Sequence, residues 1–138
     1  MMMVAEKRRS AHSHAVMAVF PQQVQMILSA LEAAKHWGLD RRGGKRNLYH
    51  VMARLKLFSD QPGSAPWTLF TRDVDTKGLG FITNQRLPLG YGGVIELRGP
   101  HNEPLAIHCT LLRCREVAPE WFEGALYFNR EQFVFELG

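Results

Sequence analysis

The sequence predicts a mainly β fold: a small antiparallel barrel or sandwich of about six to seven strands, preceded by one N-terminal helix. Its 138 residues suit a single domain. From residue 51 onward, short apolar stretches with period-two alternation are separated by turns rich in Gly and Pro. The pattern offers one helix at the start and none between the strands, whereas a parallel sheet needs connecting helices. The strands are therefore expected to be antiparallel.

The helix is predicted over residues 21–37. Pro21 suits its first turn and Gly38 suits the position just past its end. Apolar residues recur at the three-and-four spacing of one helical face. They are Val24, Ile27, Leu28, Leu31 and Ala34. This face must pack either on the rest of the domain or on a second copy of the chain.

The predicted strands cover residues 51–57, 67–72, 79–83, 94–97, 105–117 and 126–128, with 133–137 forming either an edge strand or a closing helix. In the first of them Val51, Ala53, Leu55 and Leu57 alternate with polar or exposed positions, as in a half-buried strand. We divide the chain into a partly ordered tail (1–20), the helical segment (21–39) and the β-barrel domain (40–138).

The composition is that of a folded protein, with 46% hydrophobic and 22% charged residues. No apolar run approaches the roughly 20 residues of a membrane helix, so no membrane partner is expected. Two cysteines are too few for a secreted disulfide framework, which favours a cytoplasmic setting. A net charge of +4 favours an anionic partner.

Catalytic motifs are missing from the sequence. It has no phosphate-binding loop, no His-Glu-x-x-His helix, no complete dinucleotide fingerprint and no Gly-x-Ser-x-Gly elbow. His101, His108, Cys109 and Cys114 invite a metal interpretation, but the odd spacing of the cysteines would point them to opposite faces of a regular strand. We therefore expect a non-catalytic protein without cofactor or metal, in which both cysteines are small buried residues.

Two short segments carry nucleotide-binding chemistry. Arg42-x-x-x-Arg46 precedes the first strand, and Asp73-x-x-x-x-Gly78 follows the second. Arginine binds phosphate in bidentate fashion and reaches the O6 and N7 acceptors of guanine. A carboxylate complements it by accepting from the N1–H and N2–H donors of guanine, and glycine allows close backbone approach or a positive φ. Together they indicate a site for a guanine nucleotide that carries phosphate.

These segments resemble the PilZ family, the bacterial receptor domain for the second messenger cyclic di-GMP. The family pattern is Arg-x-x-x-Arg followed by Asp/Asn-x-Ser-x-x-Gly. Here the corresponding stretches are Arg41-Arg-Gly-Gly-Lys-Arg46 and Asp73-Val-Asp-Thr-Lys-Gly-Leu-Gly-Phe81. Later segments are also similar, so the resemblance covers residues 41–128. It implies a PilZ-type β-barrel that binds cyclic di-GMP in bacterial signal transduction.

The resemblance also implies a set of binding residues. Arg42 and Arg46 would hold guanine and phosphate, with Arg41 as a helper. Asp73 would accept from a guanine edge, and Gly78 would let the ligand approach the backbone. Ligand binding would order the arginine segment and shift the helix, which would pass the signal to a protein partner or a second copy.

Asp75 is the departure from the pattern, because it stands where the family has serine. Near a ligand phosphate its carboxylate would be repulsive unless paired, and Lys77 and Arg72 are the candidate partners. This departure keeps an alternative open, in which the barrel is a protein interaction module that no longer binds the nucleotide. A barrel that binds single-stranded nucleic acid through aromatic residues such as Trp67 and Tyr91 is the least favoured hypothesis.

Overall fold

The computed structural model describes residues 20–36 and 46–136. Its helix, α1, spans Gln22–His36 and begins one residue after the predicted start at Pro21. The strands are β1 (Asn47–Leu48), β2 (Met52–Leu57), β3 (Trp67–Val74), β4 (Gly78–Thr83), β5 (Gly92–Arg98), β6 (Pro104–Ala118) and β7 (Trp121–Phe128). A 3₁₀ helix, Phe133–Phe135, follows β7.

The strands form a closed antiparallel barrel, which settles the choice between barrel and sandwich. Six strands pair in the ring order β3–β2–β5–β6–β7–β4, and β4 returns to β3. The short strand β1 pairs with β3 at Asn47↔Val74, on the same edge that β2 uses at Met52↔Phe70. The predicted mainly β fold with one preceding helix is thus confirmed within the described residues.

Alternating side chains fill the barrel interior. In β2 the inward residues Ala53, Leu55 and Leu57 are buried and the residues between them are exposed, as the period-two pattern predicts. One end of the barrel is covered by Phe135 of the 3₁₀ helix, which stacks on Phe128 at 5.8 Å between ring centroids. The segment after β7 is therefore a short closing helix and not an edge strand.

Helix α1 packs on the outside of its own barrel. Val24 and Leu28 are buried against Phe70 of β3 and Ile82 of β4, together with Phe20. The predicted apolar face is therefore covered within the chain, and its packing does not require a second copy. None of the described helices is long and apolar enough to span a membrane.

Two β-bulges change which side chains face outward. A register shift between Thr71 and Asp73 lets both Leu69 and Val74 face the core, so Arg72 and Asp73 lie together on the outer face. A second shift, between Leu111 and Arg113, acts in the same way on β6. Because of it Cys109 and Cys114 both lie in the core, and the prediction that they face opposite sides is wrong.

Candidate functional site

Asp75 organises the tight connection between β3 and β4. Its Oδ1 atom accepts hydrogen bonds from the backbone N–H groups of Lys77 (2.8 Å) and Gly78 (2.9 Å). Its own N–H donates to the Gly78 carbonyl at 3.0 Å. A side chain that accepts from the backbone two residues on is the usual way in which aspartate fixes a turn. Asp75 therefore has a structural role of its own.

Arg46 joins the two predicted motifs. Its Nη1 lies 3.4 Å from Asp73 Oδ1, and its Nε lies 3.4 Å from Asp75 Oδ2. The structure thus brings Arg46 and both aspartates together. Asp75 is paired with Arg46, a partner that the sequence analysis did not name. Arg41 and Arg42 lie outside the described residues.

Asp73 is almost fully buried on the outer face of the barrel, beneath Arg46. Its Oδ1 accepts from the Gly80 backbone N–H at 3.2 Å, and its Oδ2 lies 3.9 Å from Arg72 Nε. The β3 bulge makes this possible because it turns Arg72 and Asp73 to the same side. The carboxylate lies between β3 and β4, and both of its oxygens already contact protein groups.

Gly78 is required by the strand that lies next to it. A Cβ atom at this position would lie 2.3 Å from the Leu126 carbonyl oxygen of β7. The positive-φ glycines of the described chain are Gly63 and Gly90, so the positive-φ explanation of Gly78 is wrong. The absence of a side chain at Gly78 therefore allows close packing against β7.

A buried glutamate beside this site was not predicted. Glu123 of β7 is fully buried on the outer face, where its carboxylate contacts Arg72 Nη1 at 3.4 Å and Arg115 Nε at 3.1 Å. Its Oε2 also accepts from Arg113 Nη2, and Arg113 Nε donates to Oε1 at 3.2 Å. Arg72 therefore links Glu123 to Asp73 and so to Arg46.

The linked groups form one ionic network. Among the described residues, four guanidinium groups (Arg46, Arg72, Arg113 and Arg115) contact three carboxylates (Asp73, Asp75 and Glu123). These described groups carry one more positive than negative charge. The more exposed members are Arg113 and Arg115 at one end and Asp75 and Arg46 at the other, whereas Arg72, Asp73 and Glu123 between them are buried. An anion placed over the Arg113 and Arg115 end meets guanidinium groups before it meets the buried carboxylate of Glu123, whereas at the other end it meets both Arg46 and Asp75.

The β6 arginines have a weak sequence signal and Glu123 has none. Arg113 and Arg115 are two residues apart on a predicted strand, which places them on one face. Glu123, however, lies in a stretch that the sequence left outside the predicted strand 126–128. Its β6 partners lie across the β6–β7 hairpin, where Arg115 is the direct cross-strand neighbour of Glu123. Arg72 of β3 is 51 residues away in the chain, and only the barrel brings it to Glu123.

His50 lies between helix α1 and the site. Its ring is 6.3 Å from that of Phe20, which packs against the barrel with the helix. Burial lowers the pKa of His50, and the charges of Glu32 on the helix and of Asp73 in the site act in the opposite direction. The neutral imidazole is therefore the form that this contact favours.

The cysteines have the properties of core residues. Burial raises the pKa of the Cys109 thiol to about 11. Cys114 Sγ accepts from the Leu87 backbone N–H at 3.4 Å. Within residues 20–36 and 46–136, no three His, Cys, Asp or Glu side chains come together as a metal site.

Comparison of the chain with protein-family models and with curated proteins finds no match. The PilZ resemblance accordingly depends on the residues of this chain alone.

Proposed function

We propose that the chain is a non-catalytic receptor that binds cyclic di-GMP on the outer face of the barrel, above β3 and β4. Arg46 would bind a phosphate or a guanine edge, and the Asp73–Gly78 connection would form the opposite side of the site. Arg41 and Arg42 would complete it. The observation that carries the proposal is the meeting of Arg46 with Asp73 and Asp75, 3.4 Å from each, in the order that the motif predicts.

Arg46 retains the means to bind a ligand. A guanidinium has five N–H donors, of which the two contacts to Asp73 and Asp75 use two. Both distances, 3.4 Å, exceed those of good charge-assisted hydrogen bonds, so the arginine is held mainly by charge. A phosphate oxygen at closer distance would compete with them.

Asp75 is less of an obstacle than its charge alone implies. One of its oxygens is occupied by two backbone N–H groups and the other faces Arg46. Among the described residues the network has four guanidinium groups and three carboxylates, and the chain carries +4. This balance supports binding of an anionic nucleotide and is compatible with Asp75 in place of serine.

The test is isothermal titration of cyclic di-GMP into the purified chain and into Arg46→Ala. We expect the intact chain to bind with a micromolar or lower Kd and the variant to bind roughly tenfold to a hundredfold more weakly, because charge-assisted hydrogen bonds are worth about 1.5–3 kcal/mol. Arg86→Ala is the matched control, since this exposed arginine pairs with Glu116 away from the site. Equal affinities of the chain and Arg46→Ala would overturn the assignment.

A second candidate is a PilZ-like interaction module that no longer binds the nucleotide. It is favoured by the same contacts, because Arg46 is already shared between two carboxylates. Asp75→Ser separates the two candidates, since serine still accepts from the turn but carries no charge. If the intact chain does not bind cyclic di-GMP and Asp75→Ser does, the second candidate is correct. If both bind, and the variant more tightly, the receptor proposal stands.

A further inference from the structure

Part of the barrel surface exposes large apolar side chains far from helix α1. Phe58, Leu112 and Tyr127 are 68%, 54% and 49% exposed, and we call them the aromatic face. They belong to a continuous strip. The Phe58 ring would lie 3.6 Å from a Cβ atom on Gly92, Gly92 pairs with Thr110, and Thr110 pairs with Tyr127. Leu112 projects from the β6 bulge beside Thr110.

A small pocket with both apolar and polar lining residues adjoins the aromatic face. It has a volume of about 250 Å³ and is lined by Ala106, Ile107, His108, Asn129, Arg130 and Gln132. Two contacts join it to the aromatic face. The His108 ring is 6.1 Å from that of Phe58, and the Thr110 hydroxyl donates to Asn129 Oδ1 at 3.0 Å. The pocket lining contains a guanidinium, an imidazole and two carboxamides but no carboxylate.

We propose that the aromatic face and this pocket bind an acidic, apolar peptide segment of a partner protein. A carboxylate side chain of the partner would enter the pocket toward Arg130 and His108, and its apolar side chains would pack on Phe58 and Tyr127. Four neighbouring strands span about 14 Å, the length of four or five extended residues.

Charge selects the acidic peptide over a second copy of the chain. The chain carries +4, so two copies repel each other, whereas an acidic segment is attracted. Glu96 of β5 is exposed and lies opposite Ala106 of the pocket lining, with Arg54 of β2 opposite it on the other side. Asp60 and Glu131, which are close to the strip in the chain, are engaged internally. Asp60 accepts from Trp67 Nε1 at 3.1 Å and from the Leu57 N–H at 3.0 Å, and Glu131 accepts from the Thr76 hydroxyl at 2.8 Å. Arg130 supplies the positive charge of the pocket lining itself.

The surface is connected to the proposed nucleotide site through the backbone. The Gln132 N–H donates to the Thr76 carbonyl at 2.7 Å, and the Phe128 N–H donates to the Lys77 carbonyl at 2.8 Å. Both carbonyls belong to the connection that Asp75 fixes. The proposed peptide binding does not depend on the proposed nucleotide function. Regulation of peptide binding by cyclic di-GMP would depend on it.

The test is selection of random twelve-residue peptides displayed on phage against the intact chain, followed by fluorescence anisotropy with the selected peptides. We expect them to combine Asp or Glu with Leu, Phe or Trp, and to bind at least tenfold more weakly to Phe58→Ser and to Arg130→Glu. Met26→Ser and Arg98→Glu are the matched controls, because they remove an exposed apolar residue or reverse a charge elsewhere. The controls should bind as the intact chain does.

Three results would overturn the proposal. One is selection of peptides without acidic residues, and another is equal binding by all the variants. The third is an association that Phe58→Ser abolishes. Concentration-dependent dimerisation lost in this variant would assign the face to a second copy, and binding of a twelve-nucleotide oligothymidine lost in it would assign the face to nucleic acid. Titration of cyclic di-GMP into Phe58→Ser keeps the two hypotheses separate, because this variant should retain the nucleotide affinity of the intact chain.

Discussion

At the residue scale, Gly124 of β7 is a position where the packing of the barrel leaves no room for a side chain. A Cβ atom there would lie 2.4 Å from the Arg113 carbonyl oxygen and 2.4 Å from Phe81 Cζ. The first neighbour is backbone of the adjacent strand and the second is a fully buried ring, so neither moves without a change in the core. The residue next to Glu123 is thus a glycine for steric reasons.

We expect Gly124→Ala to lower the free energy of unfolding by about 3 kcal/mol, the upper end of the range for overpacking a core. The measurement is urea denaturation followed by tryptophan fluorescence. Gly92→Ala is the control, because its nearest neighbour would be 3.5 Å away, an ordinary contact, and it should change the stability by less than about 1 kcal/mol. Equal effects of the two substitutions would contradict the steric argument.

At the scale of elements, Glu123 connects three strands of the barrel. Its carboxylate on β7 contacts Arg72 of β3 and both Arg113 and Arg115 of β6. A buried charge of this kind is costly to strip of its partners, although the whole cluster need not be more stable than an apolar one. The cluster therefore fixes how β3, β6 and β7 are arranged beneath the candidate site.

We expect Glu123→Gln to destabilise the fold by about 3–5 kcal/mol, because Arg72 and Arg113 lose the carboxylate that balances them. Glu116→Gln is the matched control. Glu116 is exposed and lies 3.9 Å from Arg86, so its loss should cost less than about 1 kcal/mol. Chemical denaturation at one pH measures both. A value for Glu123→Gln as small as that of the control would show that the network contributes little.

At the scale of the whole molecule, His50 links the stability of the fold to pH, because its ring contacts Phe20 of the cluster that packs helix α1 on the barrel. Burial lowers its pKa in the folded state, against the opposing charges of Glu32 and Asp73. As the pH falls below the unfolded-state pKa of about 6.5, the unfolded chain takes up this proton more readily than the folded chain does. The contribution of His50 to stability is therefore complete above that pH and decreases below it.

We expect the free energy of unfolding to be lower at pH 5.5 than at pH 7.5, and this difference to be smaller in His50→Phe. The phenylalanine retains an aromatic contact with Phe20 but cannot take up a proton. Urea denaturation of both proteins at the two pH values measures the effect. An identical pH dependence in the variant would remove His50 as its source.

Periodicity in the sequence was sufficient to predict the helix and the longer strands, but not the residues at which each strand begins and ends. Helix α1 and strand β2 follow from spacing alone, because each has one apolar face. Strand β7 begins at Trp121, well before the predicted residue 126, since its middle contains Glu123 and Gly124. A sequence pattern assigns a glutamate to the protein surface unless the arginine residues that pair with it are known. Strand β1 was not predicted because two residues carry no period.

The candidate site was predictable only where a motif marked it. The closeness of Arg46 to Asp73 and Asp75 follows from the order of the two motifs, whereas the network through Arg72 to Glu123 does not. The reason is the β3 bulge, which turns Arg72 and Asp73 to one side. A bulge adds a residue without any distinctive composition, and the same effect reversed the prediction for Cys109 and Cys114.

The closed ring also has a consequence for synthesis on the ribosome. Strand β4 is buried at all six positions and pairs with β3 on one side and with β7 on the other. During translation β3 is made shortly before β4, but β7 follows only after β5 and β6. For the few seconds that this takes, β4 has an apolar surface and an unpaired edge. The nascent chain is then most in need of a chaperone, even though the finished barrel has β4 paired on both sides.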